Sequence, residues 1–377
     1  MMKIGLITYH SAYNFGSVLQ AYALQEYIKS KQGNCEVINY RMKEQRRVYS
    51  IFTWNNKGIK WIKSLIKNIL IIPHYNSKKK RQDDYENLIK KIFVLSKECI
   101  EPEDVYAVWD KYDLIISGSD QIWNKHSNEL ENISWKYMRP YLLYGYKGKK
   151  ISYASSIANM KDSDLKKIIP YIERFSAVSI REKESADKLS KRCKVNIQNV
   201  LDPTFLLSKR EWIERFHLKN SSEEYILYYA LNGRKDIKAV RHIVEEYAKQ
   251  RNYKVKMIAP LVYVKGNRAI EVLEDTDPVA FLNLIYNAKT IVTDSYHGTI
   301  LSINFEKDVY SICGRNESDF RKTDILKQIG LESRVVYDLK DLLNKKFDSI
   351  DYRLVNDKLE HLRKQSMLYL DNALSEV

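Results

Sequence analysis

Four short polar turns in this sequence carry residue types that can do chemistry. In TDSYHG, residues 293–298, an apolar run ends in Asp294 and is followed by Ser295, His297 and Gly298. An imidazole titrates near neutral pH, so His297 can donate a proton or bind an anion, with Asp294 the candidate to orient it. In ISGSDQIWN, residues 116–124, Asp120 follows a glycine that lets a ligand approach the backbone closely. Asp120 with Gln121, Trp123 and Asn124 suits the hydroxyls and the face of a sugar. In VSIREKES, residues 178–185, Arg181 stands where a guanidinium can grip a carboxylate or phosphate through two parallel hydrogen bonds. In YHSAYNFGS, residues 9–17, Asn14 and Gly16 precede a helical pattern with Ser17 as the expected cap. Backbone N–H groups at such a helix start form an anion site. Each turn also has a bland reading: a capping Asp120 beside a core tryptophan, a solvated helix start at Arg181, and capping roles for Asp294 and His297.

The elements that must position these turns follow an α/β rhythm, in which short apolar runs alternate with helical stretches. Strands are expected at residues 4–8, 36–40, 113–117, 150–154 and 177–180, with a helix over 19–29. After Pro203 the alternation restarts, with strands at 225–230, 253–259, 290–293 and 308–312 and helices at 236–251, 278–288 and 298–305. The expected domains are 1–205 and 206–377, both Rossmann-like, with mostly parallel sheets facing a cleft. A terminal helix at about 357–374 packs back on either half. Ligands of open α/β sheets gather at the carboxyl ends of strands, where all four turns lie.

The chain has 377 residues, 63 Lys and Arg against 48 Asp and Glu, and a formal charge of +15, which favours anionic partners. No helix-turn-helix, RNA-recognition or zinc module is recognisable, so nucleic acid is not an expected partner. The four cysteines show no metal-ligand spacing, and neither a metal site nor a signal peptide is read, which points to the cytoplasm. Residues 51–82 interrupt the rhythm as a basic amphipathic insertion. Within it, lysines 57, 60, 63 and 67 alternate with Trp61, Ile62, Leu65 and Ile66 ahead of the run Lys78-Lys79-Lys80-Arg81. Two readings stay open: a helix packed on its own domain, or one lying peripherally on an anionic membrane at the inner face.

The blocks NFGSVLQAYAL, IISGSDQIWN, ISYASSIA, VSIREKES, VLDPTFLL and IVTDSYHG stand in the order and spacing of the polysaccharide pyruvyl transferase family, which the chain resembles over about residues 3–340. The resemblance implies a two-domain fold similar to GT-B glycosyltransferases. It also implies transfer of pyruvate from phosphoenolpyruvate to a sugar as a ketal, with no cofactor beyond that co-substrate, in surface or capsular polysaccharide synthesis. The acceptor is then a lipid-linked or nucleotide-linked sugar. Arg181 resembles the arginine that holds the donor, and His297 the histidine that contacts phosphate or donates a proton. Two positions depart from the family: Ser17 stands in place of an acid and Ser295 in place of an arginine. Asp120 and Asp294 are candidate replacements for the acid, and Lys183, Arg315 and Arg321 for the cation. Two other readings remain: a nucleotide-sugar glycosyltransferase of the same fold, and a non-catalytic protein that holds a glycan or lipid intermediate.

Overall fold

The computed structural model of the chain describes residues 2–53, 58–158, 160–231, 237–260, 264–314, 319–344 and 349–375. The chain divides into two units. Unit 1 comprises Met1–Ser50, Glu86–Leu207 and Leu359–Val377, and unit 2 comprises Ile51–Tyr85 and Ser208–Lys358.

In unit 1, β1 (Ile4–Ile7), β2 (Glu36–Val37), β3 (Leu114–Ser117) and β4 (Lys149–Ser152) form a parallel sheet in the order β2-β1-β3-β4. Every residue of β1 and β3 is buried, as expected of parallel strands covered on both faces. Helix α1 (Phe15–Gln32) follows β1 and ends at Gly33, whose φ of 74° is readily reached only without a Cβ. Its cap is Asn14, which accepts a hydrogen bond from Gly16 N at 3.0 Å, and not Ser17. A parallel pair, β5 (Val178–Ile180) and β6 (Ile197–Asn199), continues the sheet through bridges from Ile151 to Ala177 and from Ser155 to Ile180. The register sets Ile7, Ser117 and Ser152 level, so the turns after β1, β3 and β4 emerge at one edge. Because β2 and β3 flank β1, the chain reverses its direction of travel across the sheet there, and the ends of β1 and β3 form a topological switch point.

Unit 2 contains the helix α2 (Gly58–Ile71) and the first turns of α3 (Tyr75–Ile92). Its sheet is built from β7 (Tyr225–Tyr229), β8 (Lys254–Ile258), β9 (Ile270–Val272), β10 (Thr290–Thr293), β11 (Asp308–Ile312) and β12 (Val335–Val336). The order is β12-β11-β10-β7-β8-β9, all pairs parallel. Thr293 pairs with Tyr229 and Ser311, so the turns after β7, β10 and β11 share an edge, and β7/β10 is the switch point. Two helices shape that edge, α4 (Tyr296–Asn304) after β10 and α5 (Phe320–Gln328) after β11. The last helix, α6 (Tyr352–Ser375), has most of its length in unit 1.

The division departs from the expected domains in two places, both for electrostatic or polar reasons. Residues 51–85 belong to unit 2 because the basic stretch meets the acids of residues 274–276. His74 pairs with Glu274 at 2.9 Å, Lys80 with Asp275 at 2.9 Å, and Arg81 Nε donates to Thr276 O at 3.2 Å. The end of α6 belongs to unit 1 because Tyr369 donates to Ser152 O at 2.8 Å, Ser366 Oγ accepts from Leu201 N at 2.9 Å, and Tyr27 donates to Asp371 at 2.9 Å.

One buried base at the end of β1 gives unit 1 a pH dependence. His10 is fully buried, with Nδ1 facing Thr8 O at 3.3 Å and Nε2 facing the Asn39 side-chain amide at 3.0 Å. Burial, aided by nearby Arg41, lowers its pKa from 6.5 to about 4. Below pH 6.5 the unfolded chain therefore takes up a proton that the folded ring refuses, so stability falls with pH until about pH 4. The loss assigned to this group is about 3 kcal/mol. Urea unfolding at pH 7, 5.5 and 4 should show wild type losing more stability over that interval than His10→Gln. Parallel losses in the two proteins would contradict the assignment.

Candidate functional site

The unit 1 switch point is a dense polar knot. Gly118, with φ of 143°, lies so close to the next strand that a Cβ would sit 2.0 Å from Tyr153 O. Thr8 Oγ1 donates to Ser119 O at 2.9 Å, which ties the β1 turn to the β3 turn. Asp120 Oδ2 accepts from Ser17 Oγ at 2.8 Å, and Oδ1 from Gln121 N at 2.8 Å. Ser17, the position where the family carries an acid, is thus in direct contact with a carboxylate from another strand end.

Arg181 is buried in this knot and held by acids. Its NH1 donates to Asp202 Oδ2 at 2.8 Å and its Nε to Glu182 Oε1 at 3.1 Å, while Asp120 Oδ1 lies 3.8 Å from NH2. Arg181, Glu182 and Asp202 are 4%, 2% and 1% exposed. The resemblance gives Arg181 to the donor; in this structure its NH1 and Nε are bonded to the protein's own carboxylates. Asp202 was missed in the sequence because it lies 21 residues away in the turn VLDP, where an Asp before Pro reads as a turn residue. That role is also real, since Asp202 Oδ1 caps Thr204 N at 3.0 Å.

The expected sugar-facing residues divide. Trp123 is fully buried, its Nε1 donating to Tyr141 O at 3.0 Å and its ring edge-on to Phe175, so it cannot stack on a ligand. Asn124 is buried too, with Oδ1 accepting from His126 N at 3.0 Å and Nδ2 donating to Gln121 Oε1 at 2.8 Å. Gln121 alone of the three is half-exposed. A second acid went unread. Glu129, half-buried, accepts from Tyr49 OH at 2.7 Å. Burial lifts its carboxyl above the usual range and the Asp120 charge adds to the lift, while the Tyr49 bond opposes it.

The unit 2 switch point is organised around the start of α4. Ser295 caps that helix, its Oγ accepting from Gly298 N at 3.2 Å. Gly298 is required there, since a Cβ would lie 2.7 Å from Thr293 Oγ1 and 2.9 Å from the Tyr229 ring. Asp294 is buried, with Oδ1 accepting from Leu231 N at 2.7 Å, a bond that ties the β10 turn to the β7 turn. His297 sits in the first turn of α4, 6% exposed, its ring edge-on to Tyr296 at 5.2 Å. The Arg321 guanidinium lies over the same Tyr296 ring, 5.7 Å from its centre. Arg315 lies outside the described residues, and Lys183 is exposed at the start of a short helix in unit 1.

Lys322 is the residue of this turn that sequence reasoning missed. Only 2% exposed, its Nζ donates to Asp294 O at 2.9 Å and Ile312 O at 2.6 Å and pairs with Asp319 at 2.9 Å. It thereby joins the ends of β10 and β11 at the turn that leads into α4. In the run FRKTD nothing sets it apart from its charged neighbours. Among the described residues no group of three or more His, Cys, Asp or Glu side chains gathers as metal ligands.

The family model for polysaccharide pyruvyl transferase matches residues 14–312, a span that holds both switch points. The chain belongs to the polysaccharide pyruvyl transferase family. No curated protein sequence matches it. Among solved structures it is similar to a Neisseria meningitidis UDP-GlcNAc 2-epimerase bound to UDP-GlcNAc, with a TM-score of 0.56, 9% identity and all of both chains covered. The S. aureus MnaA–UDP co-structure gives a TM-score of 0.51 at 11% identity, covering 100% of this chain and 98% of that one. Arabidopsis thaliana UGT89C1 complexed with UDP-L-rhamnose gives 0.51 at 13%, again over 100% and 98%. At such identities the likeness concerns the fold, which is GT-B-like, α/β with parallel sheets.

The geometry of Arg181 predicts a stability effect. Replacing it by Met leaves Asp202, Glu182 and Asp120 buried without their cation, a loss of about 3–5 kcal/mol at pH 7. Urea unfolding checks this, and a loss below about 1 kcal/mol would show that the carboxylates do not depend on the guanidinium.

Proposed function

We propose that the protein transfers pyruvate from phosphoenolpyruvate to a sugar as a cyclic ketal, and that the donor binds at the β7/β10 switch point of unit 2. The observation that carries this reading is His297 in the first turn of α4, inside the span matched to the pyruvyl transferase family. A helix start favours negative charge because its N–H groups and dipole point outward. Arg321, beside Tyr296, is the candidate for the cation that Ser295 does not supply.

The reaction sets requirements that these groups can meet. The terminal enol carbon takes a proton, for which His297 is the candidate donor. One sugar hydroxyl then adds to the central carbon, and a second displaces the phosphate oxygen from the same carbon. Of the two hydroxyl protons, one is balanced by the new methyl group and the other leaves with inorganic phosphate. Positive groups beside the phosphate stabilise the charge that builds on the leaving oxygen. In unit 1, Asp120 stands beside Ser17 and takes the position of the family's acid. Glu129, whose carboxyl is raised by burial and by the Asp120 charge, is the candidate second acid of unit 1. Gln121 is the half-exposed amide available to an acceptor hydroxyl. The acceptor in this reading is a lipid-linked or nucleotide-linked sugar of a surface polysaccharide, and the protein works in the cytoplasm.

Thermal unfolding with phosphoenolpyruvate tests the donor assignment without knowledge of the acceptor, because a ligand specific to the folded state raises the melting temperature. The wild type should show a saturable rise that His297→Ala loses while keeping its own melting temperature in buffer. A rise with nucleoside diphosphate and none with phosphoenolpyruvate would instead favour a nucleotide-sugar glycosyltransferase. An equal rise in wild type and His297→Ala would remove His297 from the donor site.

A further inference from the structure

Helix α2 is built inside out. Among its described side chains the buried ones are Ser64, Asn68 and Ile71, at 5%, 6% and 8% exposure. Asn68 exchanges two hydrogen bonds with the Thr53 backbone, accepting from N at 2.9 Å and donating to O at 3.0 Å. The helix is thus anchored through the Asn68 amide, where an ordinary surface helix uses its apolar stripe. The apolar stripe faces outward instead: Trp61, Ile62, Leu65, Ile66, Ile69 and Leu70 are 40% to 57% exposed, and Ile72 beyond the helix is 61% exposed. A contiguous apolar face of this kind marks an interaction surface. It also decides between the two readings of this segment, since the apolar residues are not packed on the protein's own core.

Charge identifies what covers the face. From Ile51 to Gln82 the sequence carries lysines 57, 60, 63, 67, 78, 79 and 80 and Arg81, and no Asp or Glu. The cations nearest α3 are partly neutralised, Lys79 by Asp83 and Lys80 by Asp84 and Asp275. Lys63 and Lys67 are exposed, lie one turn apart on the flank of the apolar stripe, and have no acidic partner among the described residues. Their stems can run along the apolar face while the ammonium groups stay in water. A two-fold contact between copies would set these lysines against each other, because a self-complementary interface repeats its own charges. At fourteen residues the helix is about 21 Å long, too short to cross a bilayer. Among the described residues no helix is long and apolar enough to cross a membrane.

We propose that α2 lies flat in the interface of an anionic bilayer. Trp61, Ile62, Leu65, Ile66, Ile69 and Leu70 enter the acyl boundary, and Lys63 and Lys67 meet the lipid phosphates. This surface stands whatever donor the protein uses.

Flotation of the full chain with phosphatidylcholine vesicles, with and without phosphatidylglycerol, tests it. Wild type should float with the phosphatidylglycerol vesicles, and less so as salt rises. Ile66→Gln with Ile69→Gln should abolish flotation, and Lys63→Gln with Lys67→Gln should weaken partitioning about thirtyfold. Both double variants should keep the wild-type urea midpoint, since all four side chains are exposed. Lipids brominated in their chains should quench tryptophan fluorescence in wild type and much less in Trp61→Phe. The proposal is overturned if wild type does not float with phosphatidylglycerol vesicles, or if the isoleucine variant floats as well as wild type. It is also overturned if sedimentation shows a dimer that these substitutions break while vesicles are ignored.

Discussion

The buried guanidinium of Arg181 is the constraint on which unit 1 depends. Three carboxylates, Asp120, Glu182 and Asp202, come from three separate turns and meet at this one buried cation. Through Asp120 the same cation reaches Ser17 and the first turn of α1, and through Asp202 it reaches the turn that ends this part of the chain. The polar groups at the β1/β3 switch point are therefore held in place by a charge that itself meets no solvent. An arginine suits this task better than a lysine because its planar fork addresses several acceptors at once.

Unit 2 solves the same problem with Lys322. Its three bonds join the ends of β10 and β11 and the start of α5 at the turn that leads into α4. In both units the sheet register brings strand ends level and a buried cation then gathers the turns. Gln121 and Glu129 in one unit and Arg321 in the other are half-buried, while His297 is 6% exposed in the first turn of α4. This family member carries serine at positions 17 and 295. Ser17 is hydrogen-bonded to a neighbouring acid, and Ser295 caps a helix.

Much of this arrangement was legible in the sequence, and the parts that were not share a cause. Alternating apolar runs located the strands around Asp120, Arg181 and His297, because parallel strands must be apolar on both faces and their ends must be polar. The cap of α1 was misassigned to Ser17, since Asn14 and Ser17 both fit the pattern and only the backbone conformation at Asn14 distinguishes them. Arg181 reads as an anion clamp in isolation; the Asp202 carboxylate it meets in this structure is 21 residues away. Trp123 reads as a sugar platform until its indole N–H is found bonded to Tyr141 O in the core. The basic segment looked like an insertion in the first domain because its partners, Glu274 and Asp275, lie some two hundred residues on. Local pattern reveals which residues are polar at a strand end, but the partner each one meets is set by long-range topology.

The central claim, that this fold moves pyruvate from phosphoenolpyruvate to a sugar, is tested most directly by following the pyruvyl carbon. The protein would be incubated with isotope-labelled phosphoenolpyruvate and a pool of lipid-linked and nucleotide-linked sugars, and the products read by mass spectrometry. The account predicts label in a sugar ketal, with inorganic phosphate released in equal amount and both signals absent in His297→Ala. Consumption of a nucleotide sugar, with all the label left in phosphoenolpyruvate, would contradict it.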